Sequence, residues 1–174
     1  MISLPNRWGK YKDQGCGSQP NFVCGVDEGT RMEKFLIRYS QTYILIGQLE
    51  LILRSRLIET LSKFSLEKGY SEWHQVLDTK TTIDVNNPNP GFSLWRDVLS
   101  QRNFTRLWLP CTRYAFLDLP FTESFKTYQK IDNRMHYATG TRNRVCHFNF
   151  ANARNVKHEE ANLKWLLKAL GESY

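Results

Sequence analysis

The sequence predicts an all-α protein, a small helical bundle of four to five helices preceded by an irregular N-terminal arm. Apolar residues recur at steps of mostly three, four or seven along one long segment, which is the period of an amphipathic helix. Turn-forming residues divide the rest of the chain into shorter segments. With 174 residues, 41% of them hydrophobic, the chain is long enough for one domain with a continuous core. We therefore divide it into an arm, residues 1–29, and a helical domain, residues 30–174.

The arm is rich in glycine and proline with scattered aromatic residues, so we expect an irregular surface segment. Its two cysteines, Cys16 and Cys24, have no nearby histidine or second cysteine pair to complete a tetrahedral metal site. Cys111 and Cys146 do not complete a disulfide framework either. No secretory signal is visible, and the longest uncharged apolar stretch is far too short to span a bilayer. These features favour a cytoplasmic location, reduced thiols and no membrane partner.

The first long helix is predicted to begin at the capping box Thr30-Arg31-Met32-Glu33 and to end near Ser65. Gly47 lies inside it and costs about 1 kcal/mol relative to alanine, which indicates close packing or a bend there. The apolar stripe of this helix comprises Phe35, Tyr39, Ile46, Leu49, Leu53, Leu57, Leu61 and Phe64.

The middle of the chain predicts short elements. We expect a short helix over residues 71–77, a turn-rich connection over 79–91, and a helix capped by Ser93 that ends near Gln101. Two prolines leave residues 107–119 open between short helical pieces and extended chain.

Two further helical regions close the sequence. A helix is predicted from Thr122 to about His136, after which Thr139-Gly140-Thr141 should break it and cap a new helix. The last helix should run from about Asn155 to Leu170 and contribute Trp165, Leu166 and Leu170 to the core.

Charge points to the class of partner. The chain carries 24 Lys and Arg against 17 Asp and Glu, a formal net charge of +7. An excess of this size favours polyanions, because neutralising phosphates releases counterions. RNA is the predicted polyanion because of the following motif.

The hexapeptide Arg142-Asn143-Arg144-Val145-Cys146-His147 suits attack on a phosphodiester. Arg142 can hold the phosphate, His147 can move a proton, and Asn143 can orient either group. RNA supplies its own nucleophile, the 2′-hydroxyl, so we predict an endoribonuclease that needs no metal and no cofactor. A surface arginine beside a buried, satisfied histidine would give the same hexapeptide. We interpret the similar pair Arg134 and His136 as solvated residues near a helix end.

Helical geometry separates the two catalytic candidates. On one helix Asn143 and His147 share a face with Phe150, whereas Arg142 and His147 point roughly 140° apart. A second copy packed antiparallel about a two-fold axis would bring each arginine near the other's histidine, which predicts a homodimer with a composite site. Cys146 is discounted as a partner of His147, because adjacent helical residues diverge by about 100°.

Two segments resemble a known family. Arg142-Asn143-x-x-x-His147 is similar to the R-[N/D/H]-x-x-x-H signature of the HEPN superfamily of ribonucleases, on its expected late helix. Glu50-Leu51-Ile52-Leu53-Arg54 resembles the E-x-x-L-R segment on the long early helix of the Abi-like branch. Taken alone, that segment also fits an ordinary Glu50–Arg54 surface pair worth a few tenths of a kcal/mol. The resemblance covers roughly residues 31–171.

The resemblance implies a HEPN-like bundle of four to five helices, dimerisation across the motif helices and metal-independent RNA cleavage. Arg142 and His147 would be the catalytic pair, Asn143 would support them, and Glu50 would be an inward-facing polar residue near the site. Abi-like proteins act in phage abortive infection and toxin–antitoxin systems, which implies a possible antitoxin or regulatory partner. The chain departs from the pattern in two places. Abi-like relatives usually follow the histidine with a basic or polar residue, whereas this chain has Phe148-Asn149-Phe150. One class of toxins has a tyrosine two residues after the histidine, where this chain has Asn149.

Two other functions fit the same sequence. The first is a non-catalytic HEPN-like nucleic-acid-binding or regulatory subunit, against which the presence of both Arg142 and His147 argues. The second is a helical interaction protein with no link to RNA, in which the charge serves solubility.

Overall fold

The computed structural model describes residues 26–77, 91–147 and 155–173. Within these ranges the chain forms helices and turns without any β-strand, so the predicted all-α class is confirmed. Four α-helices are described: α1 (Val26–Glu67), α2 (Phe92–Val98), α3 (Phe125–Cys146) and α4 (Val156–Ala169).

Helix α1 is the dominant element of the bundle. It begins at Val26, four residues before the predicted capping box at Thr30, so that predicted start is wrong. A threonine inside a helix costs less than about 1 kcal/mol, so the downstream packing carries the helix past this tetrapeptide. Gly47 is exposed and a Cβ there would meet no described atom within 4 Å, so it marks no close packing among the described residues. Residues 1–25, with Cys16 and Cys24, lie outside the described ranges.

The core lies along the predicted stripe of α1, which packs mainly against α4 and also against α3. Aromatic residues from the middle of the chain close one end. The Tyr128 hydroxyl donates to the Leu99 carbonyl at 3.0 Å, and the Trp108 indole donates to the Thr122 carbonyl at 2.7 Å. Both rings are fully buried, and these two bonds therefore satisfy polar atoms that burial would otherwise penalise.

Short turns of helix connect α1 to α3. A 3₁₀ turn covers Trp73–Val76, and Gly91 rather than Ser93 caps α2. Helix α2 ends at Val98, before the predicted Gln101, because a 3₁₀ turn takes over at Gln101–Asn103. The ambiguous region resolves into helical pieces, a π turn at Phe104–Trp108 and a 3₁₀ turn at Thr112–Ala115. Of the predicted turn-rich connection, residues 79–90 fall outside the described ranges.

Helix α3 corrects one prediction that bears on function. It begins at Phe125, three residues after the predicted Thr122, and continues without a break through Thr139-Gly140-Thr141. The Thr139 hydroxyl donates to the Met135 carbonyl at 2.8 Å, so the side chain bonds back to its own helix instead of starting a new one. The hexapeptide therefore forms the last turn of α3. Helix α4 follows close to the predicted bounds, with Asn155 as its N-cap.

Candidate active site at the end of helix α3

The candidate site is built on the last turn of α3. Arg142 is partly buried, whereas Asn143 and His147 are exposed to solvent. His147 is the C-cap residue, and its backbone N–H donates to the Asn143 carbonyl at 3.1 Å, which continues the helical hydrogen-bond pattern. The predicted relation of Asn143 and His147 on one side of a helix therefore exists, but at the end of a helix. Phe150, predicted to share that side, lies outside the described residues.

Arg144 points in the opposite direction, into the bundle. Its guanidinium pairs with the carboxylate of Glu159, and the two residues are 7% and 0% exposed. The same guanidinium lies 4.9 Å from the centroid of the Tyr39 ring. The pair joins the last turn of α3 to the first turn of α4, where the helix dipoles favour a cation and an anion respectively. Arg144 is therefore held inside the bundle, whereas Asn143 and His147 of the same turn are exposed.

Arg142 keeps capacity to bind an anion. Its Nη1 donates to the Asn143 side-chain oxygen at 3.4 Å, and its buried Nε has no hydrogen-bond partner. Among the ion pairs of the described residues, none includes Arg142. A partly exposed guanidinium that forms no ion pair among the described residues is suited to hold a phosphate.

Glu50 on α1 lies close to this turn. It forms an ion pair with Arg54 at 3.1 Å, and the side chains are 22% and 20% exposed. The charges of Glu50 and Arg142 act in opposite directions on the pKa of the Cys146 thiol, so both side chains lie within electrostatic range of the last turn of α3. Glu50 is thus at the border of the site, partly buried and already paired.

The cysteine in the hexapeptide is not an activated nucleophile. Burial raises the pKa of the Cys146 thiol above its ordinary value, an effect that Arg142 opposes and Glu50 reinforces. A thiol with a raised pKa is less ionised at neutral pH and therefore less reactive. Within the described ranges, no three His, Cys, Asp or Glu side chains lie close enough together to hold a metal ion.

The interpretation of Arg134 as a solvated residue near a helix end is wrong. Arg134 lies in the middle of α3, where Nη1 donates to the Asn162 side-chain oxygen at 3.1 Å and the guanidinium stacks on Trp165 at 4.3 Å. His136 is exposed, as expected, but it is also mid-helix and its Nδ1 lies 3.1 Å from Nη2 of Arg96. Lys126, Lys130 and Arg134 follow one another at intervals of four residues. This spacing was the signal in the sequence that Arg134 lies within a helix, on the same side as the two lysines.

Positive charge is unevenly distributed among the helices. Helix α1 carries six acidic and six basic residues and is neutral. Helix α3 carries five basic residues and one acidic, and α4 three basic and two acidic. These two helices thus carry +5 of the formal +7, so the electrostatic attraction for a polyanion is concentrated on the part of the fold that bears the hexapeptide.

Arg142 and His147 do not face one another on one chain. From helix geometry their side chains diverge by about 140°, with Asn143 between them. His147 is exposed and Arg142 is partly exposed, so neither is enclosed in the bundle.

Comparison with protein-family models, with curated proteins and with solved structures finds no match to this chain. The resemblance to HEPN ribonucleases therefore stays a prediction that rests on the two motifs. No helix in the described ranges combines the length and the apolar character needed to cross a membrane.

Proposed function

We propose that the chain is a metal-independent endoribonuclease of the HEPN type, with Arg142 and His147 as its catalytic pair. One observation carries the proposal: on the last turn of α3 His147 is exposed and Arg142 is partly exposed, while Arg144 between them is turned inward and paired. The turn thus presents a phosphate-binding cation and a titratable imidazole on either side of Asn143. The concentration of positive charge on α3 and α4 supports a polyanionic substrate.

The proposed reaction needs no external nucleophile. The 2′-oxygen of the ribose attacks the adjacent phosphorus, a 2′-O–P bond forms and the P–O5′ bond breaks. His147 takes the proton of the 2′-hydroxyl or protonates the leaving 5′-oxygen, and the other proton transfer falls to a second group or to water. Arg142 stabilises the charge on the non-bridging oxygens. The products are a 2′,3′-cyclic phosphate and a 5′-hydroxyl.

We propose a homodimer because α1 has an apolar side next to the site that the other described residues leave exposed. Leu36, Tyr43, Ile44 and Leu51 are 49 to 64% exposed, and together with Gly47 they follow a helical spacing that places them on one side of α1. Exposed apolar side chains grouped on one side of a helix support an association site there. A groove lined by Leu36, Tyr43, Ile44 and Val145 joins this side of α1 to the hexapeptide. A second copy packed there lies beside Arg142 and His147.

We propose that the α1 helices of the two copies run antiparallel and cross at Gly47. No atom of the described ranges lies within 4 Å of a Cβ built at this glycine, so two α1 helices can approach closely there. In that arrangement Tyr43 meets the partner's Leu51, and the surface is complementary to itself, as a two-fold interface requires. Light scattering coupled to gel filtration tests this: Ile44→Arg should give a monomer. Leu66→Arg, at a more exposed apolar residue of α1 that is not part of this surface, should not.

Cleavage of labelled RNA in the presence of EDTA tests the activity. His147→Ala should lower the rate by about 10²- to 10⁴-fold, the usual contribution of a general acid or base. Cleavage that survives this substitution would remove His147 from the mechanism. The control is His74→Ala, a histidine in the 3₁₀ turn at Trp73–Val76, which should leave the rate unchanged.

The charge on α3 and α4 favours one second candidate, a nucleic-acid-binding or regulatory subunit without catalysis, because binding does not require His147. Tight RNA binding without cleavage by the wild-type protein would favour that candidate.

A cytosolic role in phage defence or a toxin–antitoxin system is part of the main proposal and rests on the motif resemblance. It predicts that expression of the wild-type chain, but not of His147→Ala, arrests growth.

A further inference from the structure

Where α3 packs against α4, the two helices form a second surface that carries aromatic rings and basic side chains. Three cross-helix contacts define it: Tyr137 with His158, Arg134 with Asn162, and Lys130 with Trp165. We call this surface the α3–α4 seam. It begins about one and a half turns before Arg142 and runs away from the hexapeptide towards the start of α3.

Aromatic groups lie along the seam and are held in place. The Tyr137 hydroxyl is 2.9 Å from Nδ1 of His158, and their rings meet edge to face at a centroid distance of 5.1 Å. Trp165 is partly exposed, with Arg134 at 4.3 Å and the ammonium of Lys130 at 4.8 Å from its ring. The Arg134 guanidinium is fixed by Asn162, whose amide donates back to the Arg134 carbonyl at 3.2 Å. Ordered rings at a surface can stack on unpaired bases.

Exposed lysines border the seam on both sides. The solvent face of α4 carries lysines at a helical spacing of seven and four residues, and α3 carries two more on its side of the seam. The lysines are Lys126, Lys130, Lys157, Lys164 and Lys168, all exposed. The acidic residues of these helices point elsewhere: Glu159 pairs with Arg144, Glu160 accepts from Thr42, and Asp132 lies beside Arg96 and His136.

We propose that the α3–α4 seam binds single-stranded RNA and leads it to the hexapeptide. This rests on the proposed function for its final step, but the binding surface is defined by different residues. From Lys126 to Arg142 the helix extends about 24 Å, enough for several nucleotides of an extended strand. The lysines contact phosphates and the rings of Trp165 and Tyr137 take bases. In a duplex the bases are stacked on one another inside the helix, so they are not available to stack on Trp165 and Tyr137.

Salt dependence gives the expected size of the effect. Each phosphate contact on a single strand contributes about −0.7 to the slope of log K against log salt. Lys130→Gln combined with Lys164→Gln should therefore make the slope shallower by about 1.4 and weaken binding about tenfold near 0.15 M salt. Trp165→Leu should weaken binding with little change in slope, since it removes stacking and no charge.

The experiment measures fluorescence anisotropy of a 20-nucleotide 2′-O-methyl RNA, which binds but offers no nucleophile for cleavage. The control is Lys34→Gln with Lys63→Gln, which removes two exposed lysines from α1 and should change the affinity less than twofold. Equal losses in both double variants, or no loss in the seam variant, would overturn the proposal. A duplex of the same sequence that binds as tightly as the single strand would also overturn it.

These outcomes separate the seam from the catalytic proposal. If the wild-type protein cleaves RNA and the seam variant binds RNA like the wild type, the seam proposal is refuted and the catalytic proposal stands. If the wild-type protein binds RNA through the seam without cleaving it, the seam proposal stands and the catalytic proposal is refuted. Absence of any binding overturns the seam directly.

Discussion

Removal of either partner of the Arg144–Glu159 pair should destabilise the protein strongly. Both residues are buried, at 7% and 0% exposure, and each is the ion-pair partner of the other. Glu159→Gln leaves the Arg144 guanidinium charged inside the bundle with a neutral amide as its neighbour. Breaking a buried pair in this way costs about 3–5 kcal/mol. For a chain of this length each kcal/mol lowers Tm by about 2–4 °C, so the expected fall is about 6–20 °C.

The double variant Arg144→Met, Glu159→Leu separates charge from packing. It removes both charges and keeps side chains of similar size, so it should recover most of the stability lost in either single variant. The measurement is urea unfolding followed by circular dichroism, arranged as a double-mutant cycle. Glu59→Gln in the exposed Glu59–Lys63 pair is the control and should leave the unfolding curve unchanged. Single-variant losses below about 1 kcal/mol, or losses that simply add in the double variant, would refute the reasoning.

Three further predictions follow from single side chains. Cys146→Ser should retain RNA cleavage, because burial raises the pKa of the thiol and keeps it protonated at neutral pH; loss of cleavage at an unchanged Tm would contradict this. Burial also raises the pKa of Asp132, so the folded state holds that proton more tightly and stability falls as pH rises through the folded pKa; Asp132→Asn should flatten urea-measured stability from about pH 4 upward. Gly47→Ala should stabilise the dilute protein by about 0.5–1 kcal/mol in thermal unfolding, because the added Cβ meets no atom within 4 Å; a lowered Tm would show that the open space is occupied.

Periodicity predicted most of α1 and α4, because a long apolar repeat is a strong local signal. Phe35, Leu49 and Leu61 lie in the core as expected, and Asn155 caps α4. The start of α1 was missed because a capping tetrapeptide is also compatible with a helix interior. Such boundaries depend on a few tenths of a kcal/mol, which tertiary packing easily outweighs.

The candidate site was predicted less completely. Its residues were named from the motif, but the break at Thr139-Gly140-Thr141 was wrong, since Thr139 bonds to its own helix and Thr141 is buried. The inward role of Arg144 was missed, because its partner Glu159 lies fifteen residues further along and on the next helix. A pair that joins two helices has no local sequence signal, so sequence alone could not tell which arginine of the hexapeptide faces the ligand.

The position of the hexapeptide sets an electrostatic requirement on any phosphate that binds there. The end of α3 carries the negative pole of the helix dipole, which disfavours an anion. Arg144 cannot offset this, because Glu159 already neutralises it. Arg142 is the remaining cation of the turn, and His147 points about 140° away from it. Under the proposed function, a second positive group therefore has to reach the phosphate from outside this turn. The proposed composite site with a second copy, supplied with RNA by the lysines of the α3–α4 seam, would provide such a group.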